Sequence, residues 1–321
     1  MRWLFERYCS SYQSAAPAAG RLTNYGELFE SEAVNKMNSV IKGAGYVLVH
    51  APDMVLHAGT TQTTEKIVNP ESEYLKELPN HIRSYEDVVA YMPNQTYIGN
   101  MTPEELAQHE QPWVGKNMEN AQRYGKFGEI MPQDEFLLLM QACDAFELLY
   151  LDKAFVAATK DKLAADPVIT EDIMAKVLEG IEGTEIKRLV DEEHAQPLYH
   201  MGNLVGCVKR AHDVDVNLSA HVMFENIACK ASSVLALLHA VKAAGIDKAD
   251  VEYVIDCAEE ACGDMNQRGG GNFAKAAAEI AGLVNASGSD LRGFCAAPTH
   301  AMIEAASLVK AGSYKTVVVT A

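Results

Sequence analysis

A cysteine attacks a carbonyl only as its thiolate, and a thiolate forms most readily where backbone dipoles supply positive potential. The stretch from Asp290 to Met302 offers such a place at Cys295. A short extended segment, Leu291 to Phe294, runs into the cysteine, and a helix follows. Met302, Ala305, Ala306 and Val309 recur at helical spacing, with Lys310 in the last turn and Gly312 as the stop. Pro298 fits only the first turn, where its missing N–H had no partner to lose. Cys295 is therefore expected at or beside a helix N-terminus, at the end of a strand, with a depressed pKa. The plainer alternative is a small apolar residue buried at a strand–helix junction.

Other chemistry-bearing residues give weaker patterns. The run Arg268-Gly269-Gly270-Gly271-Asn272 could cradle a phosphate with backbone N–H groups, but it lacks the Gly-Lys-Ser/Thr ending of a P-loop. A permissive turn is the favoured reading. Cys257 and Cys262 form a close pair without the second pair that a zinc site needs, so no metal site is expected. Cys229 lies among Ala and Ile and reads as a core thiol. His300 is five residues past Cys295 and points to another side of the helix. His194, His200, His212 and His221 share one region without ligand spacing. No cofactor-binding residue and no catalytic partner for Cys295 can be named.

Composition narrows the class. With 321 residues there is room for two domains, or for one large α/β domain with an insertion. The balance of 27 basic against 44 acidic residues gives a net charge of −17, which argues against nucleic-acid or anionic-membrane partners. The seven cysteines (Cys9, Cys143, Cys207, Cys229, Cys257, Cys262 and Cys295) are odd in number and scattered, as expected for reduced thiols in a cytoplasm. No apolar run is read as transmembrane.

The elements that must position Cys295 follow in order. Residues 1–36 read as an atypical extension without clear period, and Met37 reads as a natural start. Gly45 to His50 is a strand, Ala51 to Asp53 a turn, and residues 58–64 a loop. A capping box is predicted at Thr102-Pro103-Glu104-Glu105. One long helix is predicted over 133–163, and another from Thr170 through Leu189. Tyr85 to Asn100 and Tyr124 to Asp134 read as aromatic, amide-rich loops. From residue 217 the pattern becomes regular: a helix over 220–244 ended by Gly245, a strand over 251–257, a helix over 272–284, the Cys295 helix, and a strand from Lys315 to Ala321. Strands alternating with helices predict a largely parallel sheet covered on both faces, with ligands at the strand carboxyl ends. A chain that stops on a core strand reads as truncated.

Two resemblances come from these residues. Residues 223–321 resemble the N-terminal half of thiolase-like condensing enzymes, especially the 3-oxoacyl carrier-protein synthase III type. The likeness rests on Ala243 to Asp247, the strand 251–257, Gly293-Phe294-Cys295-Ala296-Ala297 and Ala311 to Val317. It places the family's acylated cysteine on Cys295. The residues after it, Ala296-Ala297-Pro298-Thr299-His300, depart from the family's small Ser-Gly pair, and the family's C-terminal His and Asn lie outside this chain. The runs Lys42 to Met54, Gly59 to Lys66, Tyr91 to Asn100 and Lys126 to Phe136 are similar to the β-subunit family of component C of the glycine/sarcosine/betaine reductase complex. The resemblance implies a thiolase-like N-terminal half made of residues 37–64 and 201–321, with a mainly helical insertion over 65–200. It also implies a cytoplasmic hetero-oligomer with a component C α subunit and selenoprotein A (component A). In that complex component C receives an acetyl unit as a thioester and releases acetyl phosphate. A stand-alone condensing acyltransferase and a non-catalytic scaffold subunit remain the alternatives.

Overall fold

A computed structural model describes residues 2–8 as backbone, together with residues 38–257 and 272–321. Its strands are β1 (Arg2–Tyr8), β2 (Asn38–His50), β3 (Gly128–Pro132), β4 (Leu149–Leu151), β5 (Gln196–His200), β6 (Asn203–Val208), β7 (Tyr253–Asp256), β8 (Ser287–Asp290) and β9 (Thr316–Thr320). Six of them form one sheet in the order β3-β2-β1-β9-β7-β8, and β4-β6-β5 form a second, antiparallel sheet. In the large sheet β2 and β3 run parallel, as do β7 with β8 and β7 with β9. β1 lies antiparallel to both β2 and β9 and joins the two parallel groups. The chain thus has the mixed α/β fold expected, with parallel groups in a sheet flanked by helices.

The central place of β1 was not read from the sequence. A strand's partners lie far along the chain. Without β1, strands β2 and β9 would each present an unpaired edge ladder.

The helices are α1 (Pro52–Ala58), α2 (Thr60–Val68), α3 (Glu73–Glu77), α4 (Tyr85–Ala90), α5 (Met92–Ile98), α6 (Pro103–Leu106), α7 (Gln133–Cys143), α8 (Lys153–Ala164), α9 (Glu171–Met174), α10 (Gly183–Glu193), α11 (Ala220–Ala244), α12 (Phe273–Ile280) and α13 (Ala297–Ala311). The expected turn at 51–53 and loop at 58–64 are instead α1 and α2. Asp53 accepts N–H bonds from Met201 and Gly202, which ties α1 to the β5–β6 turn. The expected single helix over 133–163 is broken. Asp144 accepts from the N–H groups of Phe146 and Leu149 and turns the chain, so that Leu149–Leu151 pairs with β6. The helix expected from Thr170 is also split, at the left-handed Gly180, although Thr170 does cap α9. The capping box at Thr102 and Glu105 is formed.

α11 is the packing axis. It lies on β2 so closely that a Cβ on Gly43 or Gly45 would meet the helix backbone, at 2.7 Å from Ala244 N and 2.6 Å from Ala236 O. That steric demand accounts for the Gly43-Ala44-Gly45 spacing. By length and composition α11 could cross a membrane, which the sequence reading did not register; here it is largely buried against β2, α7 and α12. Alternation along β9 serves both faces of the sheet. Val318 joins the core around α11 and α12, while Val317 and Val319 pack with Ala297, Ala301, Ala305 and Val309 of α13.

Candidate functional site

Cys295 is exposed and sits in a 3₁₀ turn, Phe294–Ala296, that abuts the head of α13. The strand before it is shorter and earlier than expected. β8 ends at Asp290, and residues 291–293 are irregular. Ser287-Gly288-Ser289-Asp290 has little strand propensity of its own, and the parallel ladder with β7 imposes the conformation. Phe294 has φ 51° and is 73% exposed. A bulky residue in the left-handed region is strained, and such strain persists only where its surroundings impose it. Ala297 is fully buried, which anchors the first turn of α13 against β7 and β9. Pro298 lies in that first turn and Gly312 closes the helix in the left-handed conformation. His300 is exposed on α13.

Below this turn lies a charged pair. Asp256, the last residue of β7, is fully buried. The Arg292 guanidinium donates to its Oδ2 at 2.9 Å and reaches its carbonyl at 3.4 Å. Leu291 N–H donates to the same carbonyl at 2.8 Å. Asp290 accepts from the N–H groups of Phe273 and Ala274 at the start of α12, and lies 3.8 Å from Arg292 Nη2. Across the ladder from Asp256, the buried Thr320 Oγ1 has no hydrogen-bond partner among the described residues. The carboxyl edge of β7, β8 and β9 therefore carries a buried carboxylate, an arginine, a hydroxyl and, three residues past the arginine, an exposed thiol. The sequence reading named Cys295 here but missed Asp256 and Arg292. Nothing in their spacing marks them as partners; strand pairing brings them together.

A second charged cluster lies under β2 and β3. Arg123 donates to Glu129 at 2.9 Å, to Glu135 at 2.6 Å and to Asp166 at 3.1 Å. His239 of α11 meets Glu129 at 2.9 Å, and Tyr124 donates to Asp166 at 3.2 Å. Burial would raise the Glu129 carboxyl, but its bond to His239 and the His239 and Arg123 charges hold it below the usual range. Burial and the neighbouring Glu129 charge push Asp166 up to about 6. Close by, burial pushes the Tyr85 hydroxyl up to about 12, and it donates to Ile130 O. Here the stretches expected as aromatic, amide-rich loops contain α4, α5 and β3. Their amides close on themselves: the fully buried Gln95 donates to Val89 O and Gln122 O and accepts from Asn100.

The other thiols and imidazoles are placed differently. Burial pushes Cys143 and Cys207 up to about 12 each. Cys257 is buried with Sγ 3.1 Å from Thr320 O, and Cys229 is half-buried in α11. Cys9, Cys262 and the Gly269–Gly271 run lie outside the described residues. His194 caps α10 in the left-handed conformation, His212 Nδ1 accepts from Val214 and Asp215, and His221 lies 3.3 Å from Glu225. The half-buried His200 has Nδ1 without a partner among the described residues. A cleft of about 480 Å³ between α7, α9, α11 and α12 is lined by Asp144, Lys176, Lys230 and Glu279 among others; Cys295 is not part of it.

No family model matches the chain. The priming β-ketosynthase from the R1128 polyketide biosynthetic pathway is 28% identical over 27% of this chain and 24% of its own, with a TM-score of 0.24, so the fold rests on the strand order above. Over 88% of its length the chain is 63% identical to the glycine/sarcosine/betaine reductase complex component C subunit beta of Peptoclostridium acidaminophilum. It spans about half of that protein, 55%. The resemblance read from Lys42 to Phe136 thus holds across most of the chain, which is a sequence relative of the component C β subunit.

Proposed function

We propose that this chain serves as the β subunit of component C, or the corresponding part of it, in a glycine/sarcosine/betaine reductase complex, and that Cys295 carries an acetyl group as a thioester. The observation that supports this best is an exposed thiol at the head of α13, just past the carboxyl end of β8, in a turn kept strained at Phe294. Open α/β sheets bind ligands at that edge.

The chemistry takes two acyl transfers. The Cys295 thiolate attacks the carbonyl carbon of the incoming acyl donor, a C–S bond forms, and the donor's leaving group departs with its electron pair. An oxygen of inorganic phosphate then attacks the same carbonyl carbon. The C–S bond breaks, the thiolate is restored and acetyl phosphate leaves. Backbone N–H groups at the start of a helix stabilise the negative oxygen of each tetrahedral intermediate. In this reading the partners are the component C α subunit, which supports the phosphate step, and selenoprotein A. The assembly is a cytoplasmic hetero-oligomer. Residues 65–200 form the insertion between the two parts of the condensing-type half and provide docking surface.

The test is to trap the acyl group in the assembled complex and locate it by peptide mass. The expected result is acetyl on the peptide bearing Cys295, and loss of acetyl phosphate formation in Cys295→Ala. Unchanged formation in that variant would identify a scaffold subunit. Turnover of acyl-CoA or acyl carrier protein to 3-oxoacyl product by the chain alone would identify a free-standing condensing enzyme.

A further inference from the structure

We infer that Arg292 is a positioning residue for Cys295, locked by the buried Asp256 carboxylate. This rests on the reading of Cys295 as a nucleophile and adds the part that aims it. Arg292 stands three residues before the thiol, in the irregular segment between β8 and the 3₁₀ turn. The first N–H of that segment is tied to Asp256 O at 2.8 Å, and its arginine is tied to both the carboxylate and the carbonyl of the same residue. One strand-end residue thus receives three hydrogen bonds from two nitrogens, Leu291 N and Arg292 Nη1. Nη1 spans the carboxylate and the carbonyl from a planar guanidinium of fixed geometry, which the flexible ammonium of a lysine does not reproduce. With Asp256 fully buried at the end of β7 and Ala297 fully buried on α13, residues 292 to 296 bridge two immobile points. Phe294 is held at φ 51° within that bridge.

The pair is neutral as a whole, so it acts by placement. Releasing Arg292 lets Phe294 relax toward an ordinary backbone conformation and unwinds the turn. The thiol then moves away from the helix start that stabilises its anion.

The experiment is alkylation of this chain by iodoacetamide as a function of pH, with modification of the Cys295 peptide followed by mass and folding followed by thermal melting. Arg292→Gln is expected to move the Cys295 profile to higher pH and to slow modification at pH 7 by about tenfold. Arg292→Lys, which keeps the charge but not the planar guanidinium, is expected to fall between it and the parent. If Arg292→Gln does not fold, Asp256→Asn combined with Arg292→Gln removes the unpaired buried charge and is read instead. A folded variant with an unchanged Cys295 profile overturns the inference. A parent chain whose Cys295 reacts no faster than an unperturbed thiol overturns the nucleophile reading itself, so the two failures are distinct.

Discussion

The two parallel groups of the large sheet each use an arginine among carboxylates, and they use it differently. Under β2 and β3, Arg123 meets three carboxylates and closes a network that also takes in His239 and Tyr124. At the edge of β7 and β8, Arg292 meets one fully buried carboxylate, and the chain beyond it turns outward to an exposed cysteine. A cation shared among several carboxylates from different elements ties those elements together. The same charge at a strand end, with irregular chain attached, can aim a side chain. One cluster therefore belongs to stability and the other to the proposed chemistry.

Variants can break this distinction. The largest effect is expected for Cys295→Ala. Acetyl phosphate formation by the assembled complex should fall on the order of 10⁴-fold, while the urea midpoint stays close to the parent because the side chain is exposed. A marked loss of stability would assign Cys295 to the core. Arg123→Met should do the reverse. It leaves Glu129, Glu135 and Asp166 without their cation and should cost about 3–5 kcal/mol in urea unfolding, with the pH profile of Cys295 alkylation unmoved in the folded fraction. A shifted profile would show that the two regions are coupled.

A smaller effect concerns pH. Asp166 has a folded value of about 6 against an unfolded value of about 4. A raised carboxyl favours the folded state while protonated, so that contribution is present below pH about 4 and lost as pH rises through about 6. Glu129, held low, works in the opposite sense and loses its contribution as pH falls. Asp166→Asn keeps one acceptor oxygen, which Arg123 and Tyr124 already share on Asp166, and should flatten the stability profile between about pH 4 and 6. A parallel, unflattened profile would rule out Asp166 as the titrating group. The smallest effect is the control. Thr102→Ala removes the surface capping box of α6 and should cost about 1 kcal/mol, leaving both alkylation and the pH profile as they were.

How much of this was legible varies by residue. Ser219 and Gly245 bound α11 and Pro298 and Gly312 bound α13, and the apolar spacing in each was read as helix. α4 and α5 carry no such local signal. Their hold comes from Ser84 capping α4, from Gln95 bonded to Val89 and Gln122, and from Tyr85 reaching Ile130, not from a continuous apolar face. α7 and α8 read as one helix, because an apolar run suits helix and strand alike until Asp144 turns it and β6 pairs with Leu149–Leu151.

Local chemistry therefore determined the ends of α11 and α13, the mixed α/β class and the choice of Cys295, since caps, glycines and periodicity act within a few residues. The place of β1 between β2 and β9, the Arg123 network and the Asp256–Arg292 pair were decided by tertiary structure alone. Their members lie from six residues apart, as Arg123 and Glu129, to more than three hundred, as Trp3 and Val319, and strand pairing and burial are what give such charges and backbone groups their partners.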